Sequence, residues 1–191
     1  MRKAVREKIK RLIIREGGVV DDKTDRGGRT KYGITQNTAR AFGFKGDVFD
    51  LTYDQAISIY YQRFYVNPKF YRIEQAFSSQ LAEAMFDFGV HSGTLTPVKT
   101  LQRVLNAFNY EERFYDDLVV DGLYGNMTEY AITKFIERRG RDGLSVLTYV
   151  LNALRTAFLF DIVESDESQE RFAYGWAVRV NEIEKELGVN K

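Results

Sequence analysis

Three residues near the N-terminus have side chains and spacing suited to acid–base hydrolysis. Glu16 precedes a glycine pair, Asp25 follows nine positions later, and Thr30 follows five positions after that. Cleavage of a glycosidic bond needs two carboxyl groups in different environments. One must be protonated to donate to the leaving oxygen, and the other must be ionised to hold a water or stabilise positive charge. Glu16 and Asp25 are the pair that we expect to supply these two groups.

The neighbouring residues predict different protonation states for the two acids. Glu16 falls at the predicted C-terminus of a helix, where partial negative charge disfavours a carboxylate and therefore favours the protonated form. Asp25 stands beside Arg26 and Gly27 in a polar turn, where we expect it to stay ionised. From spacing alone, a solvated glutamate before helix-stopping glycines and an ordinary turn-forming aspartate remain the commoner explanation.

Hydrophobic periodicity predicts a mainly α fold with at most a small β-hairpin at the catalytic loop. Val5, Ile9, Leu12 and Ile13 recur at helical spacing, and the following glycine pair ends this helix near Glu16. The segment 17–35 is rich in Gly, Asp and Thr, which is typical of a loop or hairpin. Capping signals predict further helices after Thr52, after Ser78 or Ser79, after Thr96 and from Asn126. A long apolar helix over about 144–163 and a last helix through Leu187 follow. The segment 109–125 is predicted to be the least structured part of the later chain.

The composition is that of a folded protein and excludes several kinds of site. Of the 191 residues, 44% are hydrophobic and 14% aromatic, enough to build a core and line a cleft. The 28 basic residues are balanced by 27 acidic ones, which argues against a nucleic-acid binder. The chain has no cysteine and one histidine, so we expect no disulfide, thiolate nucleophile or histidine-rich metal site.

The N-terminal segment lacks the features of a signal peptide. Its longest apolar run, Leu12 to Ile14, is far shorter than a signal-peptide core, and no later stretch is expected to span a membrane. We therefore expect a protein made in the cytoplasm, without membrane insertion. If its substrate lies outside the cytoplasm, another component must release or export it.

Motifs along nearly the whole chain resemble one enzyme family. E-G-G at 16–18 is followed by D-x-G-G-x-T-x-x-G-I-T at 25–35, and later segments add MFDFGVHSG at 85–93, LQRVLN at 101–106, VDGLYGNMT at 120–128 and YGWAVRVNEIE at 174–184. Each motif is short, but their order and spacing are specific. Together they resemble glycoside hydrolase family 108, whose members are N-acetylmuramidases found as phage endolysins and as secretion-activator muramidases.

The resemblance implies a lysozyme-like fold and hydrolysis of the β-1,4 bond between N-acetylmuramic acid and N-acetylglucosamine, without cofactor or metal. Glu16 occupies the acid of E-G-G and is implied to be the essential general acid. Asp25 and Thr30 carry over by the same alignment, with the Thr30 hydroxyl holding the attacking water. Attack on the face opposite Glu16 predicts an inverted product and carboxyl groups about 6.5–9.5 Å apart.

Three further residues are candidates for substrate binding. Tyr32 and Thr35 belong to the same motif, and His91 stands where the family commonly has Asn. A sugar-stacking role for Tyr32 and ordinary packing in a hairpin both remain open. For His91, a structural role before Ser92 is favoured over sugar contact, because a lone histidine is more often structural.

The resemblance also predicts the organisation and partners of the chain. LQRVLN and VDGLYGNMT resemble the region described in this family as a peptidoglycan-binding domain. We therefore expect a catalytic region over 1–92 and a helical lobe over 93–191, packed as one globule. The expected partners are peptidoglycan glycan strands and a holin or export system, with the chain itself a monomer. A non-catalytic peptidoglycan-binding protein and a muramidase for cell-wall remodelling during export are the alternatives.

Overall fold

The computed structural model describes residues 1–16, 19–20 and 29–187. Two compact units divide at Asn67 and Pro68, and we refer to residues 1–67 as unit 1 and to residues 68–191 as unit 2. In the described part of the chain, helices predominate and the strands are short. The mainly α class predicted from the sequence is confirmed.

Unit 1 combines helices with a small antiparallel sheet. Its elements are α1 (Lys3–Glu16), β1 (Val19–Val20), β2 (Thr30–Lys31), β3 (Ile34–Thr35), α2 (Gln36–Ala41), a 3-10 turn (Val48–Asp50), α3 (Tyr53–Tyr61) and a π-helical turn (Gln62–Val66). The sheet has the order β1-β2-β3, so the described strands exceed the single hairpin expected from the sequence.

Local sequence signals explain the helices of unit 1. The apolar positions predicted for α1, namely Val5, Ile9, Leu12 and Ile13, are all buried, and the helix ends at Glu16 as predicted. The capping box predicted before α3 is also confirmed: the Gln55 N–H donates to the Thr52 hydroxyl, and the Thr52 N–H donates to the Gln55 side chain.

Unit 2 is helical in its described residues. It contains α4 (Phe70–Ala76), α5 (Ser79–Ser92), α6 (Leu95–Ala107), α7 (Asn126–Arg139), α8 (Asp142–Ser165), a 3-10 turn (Glu167–Gln169) and α9 (Glu170–Leu187). The Ser78 hydroxyl accepts from the Leu81 N–H and caps α5, which confirms Ser78 of the two predicted alternatives. Segment 109–125 contains neither helix nor strand, as predicted.

The predicted start of α6 is wrong by two residues. Thr96 was expected to cap this helix, with Pro97 as its first residue, but the helix begins at Leu95. The Thr96 hydroxyl instead donates to the Ser92 carbonyl at 2.9 Å. Pro97 still lies in the first turn, where its missing N–H leaves no helical hydrogen bond unmade.

Helix α8 is the central helix of unit 2 and packs against α5, α6, α7 and α9. By length and composition, α8 is the one helix among the described residues that could cross a membrane. The expectation that no segment has the length and composition of a membrane span is therefore wrong. One face of α8 buries Thr148, Asn152 and Arg155. Because these polar groups face other helices of the unit, we interpret α8 as a core helix.

Candidate active site

Contacts with α3 fix the helix that ends at Glu16. The Arg6 guanidinium pairs with the Asp54 carboxylate at 2.8 Å, and the Tyr53 hydroxyl donates to the Lys10 carbonyl at 3.4 Å. The buried face of α1 supplies the apolar part of this packing. The backbone of Glu16 is therefore held at the end of a docked helix.

The sheet connects the strand that follows Glu16 with the predicted water-holding threonine. Val20 is the register partner of Thr30, and Thr30 is in turn the partner of Thr35. Residues directly opposite each other in an antiparallel sheet project from the same face, with Cβ atoms about 4.5–5.5 Å apart. Thr30 is half-buried in the central strand, so the structure brings Thr30 and Thr35 together on one face.

The carboxyl pair of the proposed mechanism lies outside the described residues. Asp25 falls within 21–28, and the side chain of Glu16 is likewise outside the described part of the chain. The roles of Glu16, Asp25 and Thr30 and the predicted separation of the two carboxyl groups remain predictions.

Tyr32 forms the turn between β2 and β3. Tyr32 and Gly33 both have positive φ, 57° and 71°, the combination that a two-residue type I′ hairpin turn requires. The Tyr32 carbonyl accepts a hydrogen bond from the Tyr60 hydroxyl at 3.1 Å, and its ring meets Tyr53 edge to face at 5.7 Å. The half-buried ring thus takes part in hairpin packing, and its contact with sugar remains a prediction.

Thr35 joins the sheet to the next helix. Its hydroxyl accepts from the Thr38 N–H at 3.1 Å and donates to the Thr38 hydroxyl at 3.0 Å, which caps α2. This role fixes the end of β3 and, through the register, the position of Thr30. Binding of substrate by Thr35 is a further prediction.

The two basic residues that flank Thr30 tie β2 to the segment around the 3-10 turn, and we call these contacts the Arg29–Asp47 brace. Arg29 forms an ion pair with Asp47, and its guanidinium carbon lies 4.1 Å from the centre of the Phe49 ring. The Lys31 ammonium donates to the Phe49 carbonyl at 2.6 Å. The Phe49 N–H, and then Arg29, hold the pKa of the Asp47 carboxyl below its ordinary value. Sequence reasoning missed this brace, although two basic residues flanking Thr30 signal an acidic neighbour.

His91 lies in the last turn of α5, in unit 2, beside a buried ionic cluster. The Asp87 carboxylate accepts from Arg155 at 2.6 Å and from Arg179 at 2.7 Å, and the exposed side-chain fractions are 6%, 1% and 13%. Burial alone raises the pKa of Asp87, but the two guanidiniums and the nearby His91 outweigh it and hold that pKa well below its usual range. This environment favours the structural role of His91, and sugar contact remains a prediction.

Sequence reasoning also missed the Asp87 cluster, although its signals are present. Asp87 interrupts an apolar run between Phe86 and Phe88, and Arg155 interrupts another in α8. A charge inside an apolar helical face has to be paired when it is buried. Among the described residues, no group of three or more potential metal ligands is close enough to hold an ion.

Comparison with known families identifies both parts of the chain. Residues 9–93 match the model for glycosyl hydrolase 108, and residues 96–181 match a model described as a predicted peptidoglycan domain. Residues 9–93 thus form a region similar to glycosyl hydrolase 108, and a region similar to a peptidoglycan domain follows it. The two matches support a glycoside hydrolase that acts on the peptidoglycan of the cell wall, and the resemblance inferred from the motifs is confirmed.

A solved structure supports the assignment of the fold. The structure of Brucella abortus SagA is similar with a TM-score of 0.63 and 26% sequence identity, over 96% of this chain and 93% of that chain. The predicted mainly α, lysozyme-like class is thereby confirmed. No curated protein sequence matches the chain.

The family matches and the compact units divide the chain at different places. The two matches meet at residues 94–95, whereas the compact units meet at Asn67 and Pro68. Asp87 belongs to the glycosyl hydrolase match, and its partners Arg155 and Arg179 belong to the peptidoglycan-domain match. The predicted division into 1–92 and 93–191 remains a prediction, and the ion cluster joins segments of both matches within unit 2.

Proposed function

We propose that this glycoside hydrolase is an N-acetylmuramidase that cleaves the β-1,4 bond between N-acetylmuramic acid and N-acetylglucosamine. The observation that carries the proposal is that α1 ends at Glu16 and leads into a sheet whose central strand holds Thr30. A helix C-terminus favours the protonated form of an acid, as proton donation to the leaving oxygen requires.

The proposed roles follow from the charges that develop during cleavage. Glu16 donates its proton to the glycosidic oxygen, and Asp25 stays ionised, stabilises the positively charged sugar and accepts the proton that the attacking water loses. Thr30 orients a water for attack on the opposite face, so the product is inverted. The Arg29–Asp47 brace and the Thr35 cap hold the strand that carries Thr30 in place.

The test is digestion of purified peptidoglycan by the full chain, followed by reduction and mass spectrometry of the products. We expect reduced N-acetylmuramic acid at the new ends, in EDTA as well, since the mechanism uses no metal. Reduced N-acetylglucosamine would indicate a glucosaminidase, anhydro ends a lytic transglycosylase, and free stem peptides an amidase. No digestion at all would favour the non-catalytic peptidoglycan-binding alternative.

The role of Glu16 is tested by Glu16→Gln, which keeps the size of the side chain but removes the transferable proton. We expect turnover to fall by at least about 100-fold while the protein stays folded. Glu7→Gln is the matched control, because Glu7 lies on the same helix and pairs at the surface with Lys10. Near-normal turnover by Glu16→Gln would remove Glu16 from the mechanism.

The biological use of this activity is a separate proposal. The holin or export system expected from the sequence, the monomeric state, and the choice between lysis and remodelling during export remain predictions. Deletion of a neighbouring holin gene that abolishes release of the enzyme would support the lytic use.

A further inference from the structure

Two cavities of about 410 Å³ each share Arg139 at the end of α7. One is mostly apolar, and its lining includes Phe108, Phe135, Val146 and Asp142. The other is basic and aromatic and is lined by Tyr110, Arg113, Phe114, Arg138 and Arg139. We call the two together the Arg139 groove, and each half is of a size that binds small ligands.

Flat aromatic surfaces line both halves of the groove. Phe108 and Phe135 stack with ring centres 5.8 Å apart and planes at 16°. In the basic half, Arg113 lies 5.6 Å from the centre of the Tyr110 ring, and Arg138 lies 5.7 Å from that of Phe114. Such surfaces suit the apolar faces of acetylated sugars and of alanine side chains.

The groove carries an excess of positive charge. Among the described residues, Arg113, Arg138 and Arg139 form no ion pair, whereas Lys134 on the same helix pairs with Glu137 at 2.7 Å. The acid that lines the groove is Asp142. The residues that line the groove thus include three guanidiniums and one carboxylate, a surplus of positive charge that favours an anionic ligand. Guanidinium binds carboxylate through paired hydrogen bonds.

The loop that supplies the basic half is held in shape by a buried asparagine. The Asn109 side chain is fully buried, accepts from the N–H groups of Phe114 and Tyr115, and donates to the Asp117 carboxylate at 2.9 Å. Residues 110–112, three of the four residues between Asn109 and Phe114, have positive φ, a conformation that L side chains rarely adopt. The loop is thus held with Tyr110 and Arg113 beside the end of α7 before any ligand binds.

We propose that the Arg139 groove binds the carboxylates of the stem peptide of peptidoglycan. This inference rests on the proposed action on peptidoglycan, because the groove lies within residues 96–181, the segment matched as a predicted peptidoglycan domain. In peptidoglycan the free carboxylates belong to the stem peptide, since the lactyl group of muramic acid is joined to that peptide by an amide. The mostly apolar half, with Phe108 and Phe135, packs against the adjoining alanine or sugar.

The test is calorimetric titration of the full chain with the disaccharide tetrapeptide that a muramidase releases, which the proposed enzyme cannot cleave further. Arg113→Gln and Arg139→Gln should each weaken binding about threefold, and the double variant about tenfold. The matched control is Arg103→Gln/Arg171→Gln, which removes the same charge from exposed positions on α6 and α9 and should leave the affinity unchanged. Circular dichroism verifies that all variants are folded.

A second probe separates recognition of carboxylate from general attraction to charge. The same disaccharide tetrapeptide with its carboxylates amidated should bind about tenfold more weakly. Equal affinity for the two probes, or an equal loss in the control double variant, would overturn the inference. If the protein digests peptidoglycan but the affinity for the disaccharide tetrapeptide does not depend on Arg113 and Arg139, this inference alone is wrong. If the affinity depends on these two residues but peptidoglycan is not digested, only the proposed muramidase activity is wrong.

Discussion

In unit 1 the ion pairs Arg6–Asp54 and Arg29–Asp47 lie at the surface, whereas in unit 2 Asp87, Arg155 and Arg179 meet inside the helical core. A surface pair contributes at most about 1 kcal/mol to stability, because water screens its charges. A buried pair has already lost its water, so removing one partner strands the other. Ion pairs between arginine and aspartate therefore position a strand in unit 1, whereas in unit 2 they are required for the stability of the core.

The contacts that place Thr30 in unit 1 and those that meet at Asp87 in unit 2 also differ in their sequence separation. In unit 1, capping by Thr35, the Tyr32–Gly33 turn and the sheet register place Thr30, and each of these acts over a few residues. In unit 2, helices distant in the sequence meet at Asp87, which is 68 positions from Arg155 and 92 from Arg179. We expect unit 1 to tolerate loss of a charge, and unit 2 to lose stability.

The largest expected effect is that of Asp87→Asn, which leaves two guanidiniums buried without their counter-charge. We expect the free energy of unfolding to fall by about 3–5 kcal/mol. Asp54→Asn is the control, because it breaks an ion pair whose aspartate side chain is 79% exposed. Denaturant titration of both variants measures the difference, and similar small losses in both would mean that the buried cluster is not required.

A smaller effect is expected at the start of α8, where Gly143 lies against side chains of α7. A Cβ added at Gly143 in α8 would lie 2.7 Å from the Cβ of Arg139 and 3.0 Å from the Phe135 ring. Gly143→Ala should therefore lower the free energy of unfolding by about 1–3 kcal/mol. Gly175→Ala in α9 is the control: its added Cβ meets nothing within 4 Å, so the higher helix propensity of alanine should stabilise by up to about 1 kcal/mol. Stabilisation by both substitutions would show that α7 and α8 have room to separate.

The smallest expected effect is that of mild acid. The pKa of Asp87 is lowered in the folded protein, so its contribution is fully present above the unfolded value of about 3.9 and is lost as the pH falls through the folded pKa. The stability difference between the natural chain and Asp87→Asn should therefore not decrease between pH 7 and about pH 5, and should shrink only below about pH 4. A difference that disappears between pH 7 and pH 5 would contradict the ionised cluster.

Sequence alone predicted the features whose causes are local. The end of α1 at Glu16, the capping box at Thr52 and the cap at Ser78 each depend on residues within one turn, and all three are confirmed. The start of α6 was wrong because the Ser92 carbonyl engages Thr96. At the start of α7 the capping signal from Asn126 and Glu129 predicted the helix, but no side chain caps it. Both side chains instead accept hydrogen bonds from Arg72 of α4.

The sequence by itself determined the helical class and the resemblance to glycosyl hydrolase 108, because hydrophobic period, glycine positions and motif order are properties of the linear chain. It also predicts Glu16 as the catalytic acid. Tertiary structure decided which charges are buried together and which cations are left over. Asp87 and Arg155 each interrupt an apolar run, but only the packing of α5 on α8 makes them partners, and Arg113 joins Arg139 only through the loop held by Asn109. The pairing of distant side chains depends on how helices pack, and helical periodicity identifies the buried face of a helix without specifying the residue opposite it.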